Sequence, residues 1–391
     1  FNQLNIVVGI SLAFFTNYLI LQLGKSDASW AINLKFDEYN WRWMLGLETL
    51  PAVLYFFGLF AVPKSPRWLI MKGETEEAIK IMSASTVLIT HPDCLGHETP
   101  QGHPEQIARL EVLLKALERL PVEVLSAPLA QEADLLSVHS QHYLDALRAA
   151  SPAHGSAALD ADTHLSAGSL KAAYRAAGGV LLAVDQVLSG AAQNAFVATR
   201  PPGHHAETAK AMGFCLFGNA ALGAKYALDR YGLQRVAVVD FDVHHGNGTQ
   251  DLLWEEPRAL FVSTHQMPLW PGSGAPDEKG AFDNIINLPL APETDGQAMR
   301  TLYRETVLPH LRAFRPDLLI ISAGFDAHSS DPLAQLNWRV EDFAWLTQEL
   351  CALAAELCQG RVVSVLEGGY DLPALAASAK AHVEKLLEAT K

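Results

Sequence analysis

From residue 86 onward, short blocks of consecutive apolar and β-branched residues alternate with longer Ala/Leu-rich windows. The blocks at 86–90, 195–199, 236–240, 260–264, 318–322 and 362–366 are too short for helices and too continuous for half-exposed strands, so they predict buried strands. The windows at 170–188 and 340–357 repeat apolar positions with helical period. Strands alternating with helices predict an α/β fold with a mostly parallel central sheet covered on both faces, three layers in all. Residues 1–84 are patterned differently. Two apolar runs, 6–23 and 44–62, are each about as long as a bilayer core is thick and predict an N-terminal hydrophobic helical hairpin.

Several features around those runs bear on a membrane. Trp30, Trp41, Trp43 and Trp68 lie outside or at the ends of the runs, as interfacial aromatics do. Lys64, Arg67, Lys72 and Lys80 follow the second run, a mild bias that places residue 63 onward in the cytosol. Glu48 inside the second run favours the alternative of a hairpin buried in a soluble protein. Neither a basic segment before the first run nor a small-residue cleavage site after it supports a signal peptide. Membrane association is expected only if residues 1–84 insert, and the remainder is expected in the cytoplasm.

Charge sharpens the division. Residues 1–84 hold seven Lys/Arg and seven Asp/Glu, so the whole net charge of −14 falls on residues 85–391. With no basic stripe to neutralise phosphates, direct nucleic-acid binding is disfavoured, whereas a cationic substrate is attracted. Cys94, Cys215, Cys351 and Cys358 form no CxxC pair, which argues against a zinc knuckle or a disulfide framework.

In parallel α/β sheets ligands bind beyond the carboxyl ends of the strands. Four of the apolar blocks end in polar clusters: RPPGHHA, DFDVHHGNG, AGFDAHSSD and EGGYD. If those strands are neighbours, His204, His205, Asp240, Asp242, His244, Asp326 and Tyr370 converge. Asp242 and His244 are two apart, so an extended chain turns both to one face, where Asp326 completes a three-ligand site for Zn²⁺ with room for water. Asp240 then stands behind, orienting an imidazole, and His245 points away. The pair His204–His205 supplies a general base, with Asp240 and Asn247 as the two ring partners. Asp331 reads as a solvated acid in a turn. Gly368–Gly369 bring the backbone close to the site, and the Tyr370 hydroxyl suits a developing oxyanion. Phe214 and Trp270, on glycine-rich loops, suit the walls of a narrow tunnel.

These motifs, with STHQMPLWPGSG, GHPEQIARL and LDADTHLSAGSLKAAYRAAGG, resemble the histone deacetylase and acetylpolyamine amidohydrolase family over residues 86–391. The resemblance implies an arginase/deacetylase-type fold and one zinc ion on Asp242, His244 and Asp326. It implies catalytic roles for His204, His205 and Tyr370, with Asp240 and Asn247 assisting. Phe214, Leu269, Trp270 and Gly368 then contact substrate, Arg109 lies near the internal end of the tunnel, and Asp162 or Asp160 is the rim carboxylate. A potassium site is implied at Asp240, Asp242 and His244 with Ser263. Asn247 resembles class II members. Arginase-type relatives bind two manganese ions through Asp-x-His-x-Asp and Asp-x-Asp, whereas here position 246 is Gly and position 328 is His.

Residues 1–83, through WRWMLGLETLPAVLYFFGLFAVPKSPRWLI and GETEEAIKIM, resemble the fifth and sixth spans of a sugar porter of the major facilitator superfamily. Two spans make no transport path, and the abrupt change at IMSASTVLITHP reads as a fusion or assembly artefact. The expected domains are therefore a porter-like fragment, 1–84, and a deacetylase domain, 85–391. The expected activity is zinc-dependent removal of acetyl groups from acetyl-lysine side chains, with acetylated polyamines as the alternative substrate. From another class, a non-catalytic or membrane-tethered chimera is the competing reading. Homo-oligomerisation is left open.

Overall fold

The computed structural model describes residues 17–23, 25, 28–36, 38–44 and 86–390. The chain divides into two compact units, residues 1–82 and 83–391. In the first, a short helix, Ser29–Asn33, accompanies a small cluster of Ile20, Ala31 and Phe36 against which Trp43 packs. Phe36 and Trp43 stack with ring centroids 4.9 Å apart. Of the two long apolar runs only residues 17–23 and Met44 are described, so the expected hairpin and the porter-like motif lie outside the described residues. Among the described residues no helix is long and apolar enough to cross a membrane.

The second unit is built on an eight-stranded sheet whose strands are β1 (Thr86–Thr90), β2 (Glu123–Ser126), β5 (Asn194–Val197), β6 (Val236–Asp240), β7 (Ala259–Gln266), β8 (Ile285–Leu290), β9 (Leu318–Ala323) and β10 (Val362–Leu366). They lie in the order β2-β1-β5-β10-β9-β6-β7-β8. Every pairing between them is parallel. A separate antiparallel hairpin pairs β3 (Ser156–Ala158) with β4 (His164–Ser166).

Strand alternation sorts the core into two layers. Val87, Ile89, Ala195, Val197, Val236 and Val238 face one cluster, which includes Val180 and Val184 of the helix Ser169–Leu188. Leu88, Phe196, Ala237 and Val239 face the other, which includes Leu346 and Leu350 of Val340–Cys358 and Val383 of Leu372–Glu388. Both faces are thus buried, which is why the central strands read as unbroken apolar blocks.

The apolar pattern does not reveal β2, β8 or the β3–β4 hairpin. β2 is an edge strand whose residues are largely exposed, so it carries no burial signal. β8 holds Pro289, which forfeits a ladder N–H and is tolerated because β8 is the opposite edge.

The helix Ser169–Leu188 approaches a neighbouring loop closely at one glycine and not at the next. A Cβ on Gly178 would lie 2.1 Å from Pro128 O, a backbone atom that cannot rotate away. A Cβ on Gly179 would meet only side chains, at 3.1 Å or more. Helix propensity favours alanine by about 1 kcal/mol at either site, but overpacking against backbone costs about 1–3 kcal/mol or more. Gly178→Ala is therefore expected to lower the melting temperature and Gly179→Ala to change it little, as scanning calorimetry of the two variants would show.

Candidate active site

The four strands that end in polar clusters, β5, β10, β9 and β6, are consecutive in the sheet. Their carboxyl ends bring Asp242, His244 and Asp326 together, with ligand-capable atoms all within 4.8 Å of one another and all three side chains buried. His244 Nδ1 stands 3.2 Å from Asp242 Oδ1 and 3.1 Å from Asp326 Oδ2. One imidazole nitrogen facing two carboxylates is a donor set suited to a borderline divalent cation such as Zn²⁺.

The backbone reason for this convergence differs from the extended pleat expected from the sequence. The strand ends at Asp240, and the chain beyond it bends. Asp240 Oδ1 accepts from Asp242 N at 3.1 Å, and Asp242 Oδ1 accepts from His244 N at 2.9 Å. These local side-chain-to-backbone bonds aim the carboxylates. Two more bonds fix the remaining oxygens: Val243 N donates to Asp326 Oδ1 and Gly368 N to Asp242 Oδ2, each at 2.9 Å. The approach at Gly368 is close enough that a Cβ there would lie 2.2 Å from Asp326 Oδ2. Gly246 is similarly constrained, since its Cβ would lie 2.3 Å from Asp240 Oδ2. A carboxylate at 246 for a second metal has no room, and the His328 ring accepts from Ser330 N instead of joining the cluster.

The two histidines are held differently. His204 Nδ1 faces Asp240 Oδ2 at 3.0 Å, while His205 Nδ1 faces Asn247 Oδ1 at 2.8 Å. Burial disfavours charge on His204, but the carboxylates of Asp242 and Asp240 overcome it and hold its pKa well above the ordinary range. Burial, reinforced by His204 and His244, holds His205 well below it. Rings 3.9 Å apart are thus shifted in opposite directions by their surroundings. His245 points away, as expected, with Nδ1 at Ser273 Oγ and Nε2 at Gln250 Oε1.

A cavity of about 230 Å³ opens onto this cluster, lined by Asp162, His205, Gly213, Phe214, His244, Leu269, Trp270, Leu333 and Tyr370. Phe214 and Tyr370 meet edge to face at 5.7 Å, and Trp270 packs on His205 at 4.7 Å. Phe214 holds a left-handed backbone, φ +68°, with its N–H donating to Thr163 Oγ1. Gly213 before it admits no side chain, because a Cβ would lie 2.5 Å from both His205 and Trp270. Of the two candidate rim acids, Asp162 is on the cavity wall, whereas Asp160 Oδ1 accepts from Asp162 N and Thr163 N and organises the turn.

Gly368 and Arg109 are not on that wall. Arg109 is fully buried beneath the loop after β10, donating from Nε to Gly369 O and from Nη2 to Glu367 O, each at 2.6 Å. Its guanidinium lies 4.7 Å from the Tyr370 ring centroid. Burial pushes the Tyr370 hydroxyl well above its usual pKa despite Arg109, so it remains an O–H donor. Ser263 is paired in register with Asp240, and its hydroxyl meets His265 Nδ1 at 2.9 Å.

Sequence reasoning missed several supporting residues. Glu105 is buried between Arg109 and Arg200 and bonds both. Glu367 accepts from Gly203 N and His204 N, pinning the histidine turn to the end of β10. Glu207 accepts from the Asn247 amide at 2.8 Å. Asp331 is a correction: it is buried, not solvated. Asp331 Oδ2 accepts from Tyr370 N at 2.7 Å and Asp371 N at 3.3 Å, and Oδ1 from Leu333 N at 3.0 Å. Burial and then the Asp326 carboxylate push it up to about 7. The solvated reading failed because its partners are backbone groups, which no side-chain pattern reveals.

The fold and site define an α/β protein with a buried carboxylate–imidazole cluster beneath a cavity at the strand ends, and comparison with known proteins fixes the family. The histone deacetylase domain profile matches residues 103–386, and the sugar (and other) transporter profile matches residues 1–92. An uncharacterized protein of Synechocystis sp. is 43% identical over 307 residues, covering 77% of this chain and 99% of its own. A histone deacetylase-like amidohydrolase of Pseudomonas aeruginosa is 40% identical, covering 71% of this chain and 74% of its own. The crystal structure of the HDA15 HD domain superposes with a TM-score of 0.74 at 34% identity, covering 78% of this chain and 89% of that one. The chain belongs to the histone deacetylase family.

Because one carboxylate ties down two walls of the cavity, Asp331→Ala is expected to free the loop carrying Tyr370. Above the raised pKa of about 7 the Asp331 carboxyl is charged, and loss of a hydrogen bond to a charged group is worth about 1.5–3 kcal/mol, or about tenfold or more in local opening. Hydrogen exchange at the Tyr370 and Asp371 amides should accelerate by that factor, with exchange in β6 unchanged.

Proposed function

We propose that residues 85–391 form a zinc-dependent deacetylase that hydrolyses the acetyl amide of acetyl-lysine side chains in proteins. The observation that carries this reading is the convergence, at the floor of one aromatic-walled cavity, of Asp242, His244 and Asp326 with two histidines, one backed by a carboxylate and one by an amide oxygen. The names of the relatives, deacetylase and amidohydrolase among them, support it.

Asp242, His244 and Asp326 would hold the zinc. When bound, it supplies Lewis-acid polarisation of a carbonyl and lowers the pKa of a water molecule. Every other part of the chemistry falls to the chain. The cavity takes a narrow aliphatic stem between Phe214 and Trp270, and Asp162 at its wall accepts from substrate amide N–H groups. Neutral His205, with Nδ1 engaged by Asn247, offers Nε2 to take the proton of the attacking water. Cationic His204, held by Asp240, favours negative charge developing nearby. Tyr370 donates its hydroxyl hydrogen bond to the oxyanion as the carbonyl carbon becomes tetrahedral. As the carbon–nitrogen bond breaks, His205 returns that proton to the departing nitrogen, and the proton left on the new carboxyl group passes to the amine, so that an ammonium and acetate are released. We further assign a structural potassium ion to the backbone of Asp240, Asp242 and His244 with Ser263.

Tyr370→Phe removes one oxyanion donor and is expected to lower kcat by about 10²-fold on an acetyl-lysine peptide, with zinc content by elemental analysis unchanged. Near-normal turnover would refute the role of Tyr370. Hydrolysis of acetylspermidine and not of the peptide would replace the protein substrate with a polyamine. Activity on neither, with zinc bound, would sink the deacetylase reading. Residues 85–391 expressed alone are expected to match the full chain in kcat/KM within about twofold, since every residue invoked lies in that span.

A further inference from the structure

Asn247 Oδ1 can accept from His205 only if its amide faces one way, and the residue that decides this is Glu207. Asn247 Nδ2 donates to Glu207 Oε1 at 2.8 Å. Its other contacts within reach are also acceptors, His205 O at 3.5 Å and Met212 Sδ at 3.4 Å. A carboxylate oxygen offers lone pairs, so it meets the NH₂ end of the amide. The oxygen end is thereby committed to His205, where it accepts from Nδ1 at 2.8 Å.

We propose that Glu207 is a positioning residue of the active site: it fixes which way the Asn247 amide faces, and through it which ring nitrogen of His205 carries the proton. A neutral imidazole donating from Nδ1 leaves Nε2 as a lone-pair acceptor, the state a general base requires. With the amide reversed, Asn247 would offer N–H to Nδ1, the ring proton would move to Nε2, and the base would be lost. His204 needs no such arbiter, because its partner Asp240 is a carboxylate that accepts with either oxygen. The same contact explains why an amide stands at position 247. Aspartate there would set two carboxylates 2.8 Å apart, a repulsion that only a shared proton relieves. Glu207 keeps its fold-forming bonds in any variant, because they are made by its backbone: its N–H donates to Lys210 O and its carbonyl accepts from His139.

The inference rests on the deacetylase reading for its kinetic consequence but not for its structural one, and the test separates the two. Protein labelled with ¹⁵N in the histidine rings, with His205 assigned by comparison with His205→Gln, reports the ring proton directly. The zinc-loaded full chain is expected to show His205 neutral and protonated on Nδ1. Glu207→Ala should transfer a large share of that signal to the Nε2-protonated form and lower kcat by about tenfold, as loss of outer partners typically does, with KM little changed. Glu207→Gln, whose amide can either accept from Asn247 or donate to it, should no longer enforce one orientation and should fall between wild type and Glu207→Ala in both readouts. Asn247→Asp should lose activity increasingly as pH rises, and adding Glu207→Gln should recover most of the loss. An unchanged His205 signal in Glu207→Ala would overturn the proposal whatever the activity, as would an Asn247→Asp defect that Glu207→Gln does not relieve. A responsive ring signal in a protein inactive on acetyl amides would uphold the positioning role and refute the deacetylase reading alone.

Discussion

Four carboxylates, those of Asp240, Asp242, Asp326 and Glu367, are withdrawn from water at the ends of adjacent parallel strands, and everything around them answers to that cost. An unpaired buried carboxylate is penalised by several kcal/mol even after the protein relaxes. Backbone N–H groups from Asp242, Val243, His244, Gly368, Gly203 and His204 meet their oxygens. One divalent ion on Asp242, His244 and Asp326, with a protonated His204, would together offset three of the four charges. The fourth is eased by protonation, since burial pushes Glu367 up to about 7. A buried acid cluster with so few cations is a strained arrangement for a metal-free core and a natural one for a metal site.

The same requirement shapes the chain nearby. Because the carboxylates must be reached by backbone, glycines stand at 246, 324 and 368, where any Cβ would strike a carboxylate oxygen. The loop that brings Gly368 in also carries Tyr370, and it is anchored from below by Arg109 and from the side by Asp331. Arg109 is in turn fixed by Glu105, which also binds Arg200 at the foot of the histidine turn. The walls of the cavity are thus placed by the groups that satisfy its floor.

Much of this was legible in the chain because the central strands are buried on both faces and therefore read as continuous apolar blocks. Their polar tails marked His204, His205, Asp242, His244, Asp326 and Tyr370 as neighbours before any coordinates. The convergence was right, yet the backbone cause was not: Asp242 and His244 meet through side-chain bonds in a bend, which residue spacing does not distinguish from a pleat. Edge strands escaped because exposure and Pro289 erase the burial signal. Glu105, Glu207 and Asp331 escaped for a different reason. Each is an acid whose meaning comes from a partner elsewhere along the chain, as with Glu105 and Arg200, 95 residues apart.

The arrangement of Asp242, His244 and Asp326 calls for a single metal ion. Isothermal calorimetry of zinc titrated into metal-stripped protein measures that stoichiometry, and one equivalent per chain, tightly bound, is expected. Two equivalents of comparable affinity, or no tight binding in a folded protein, would contradict it.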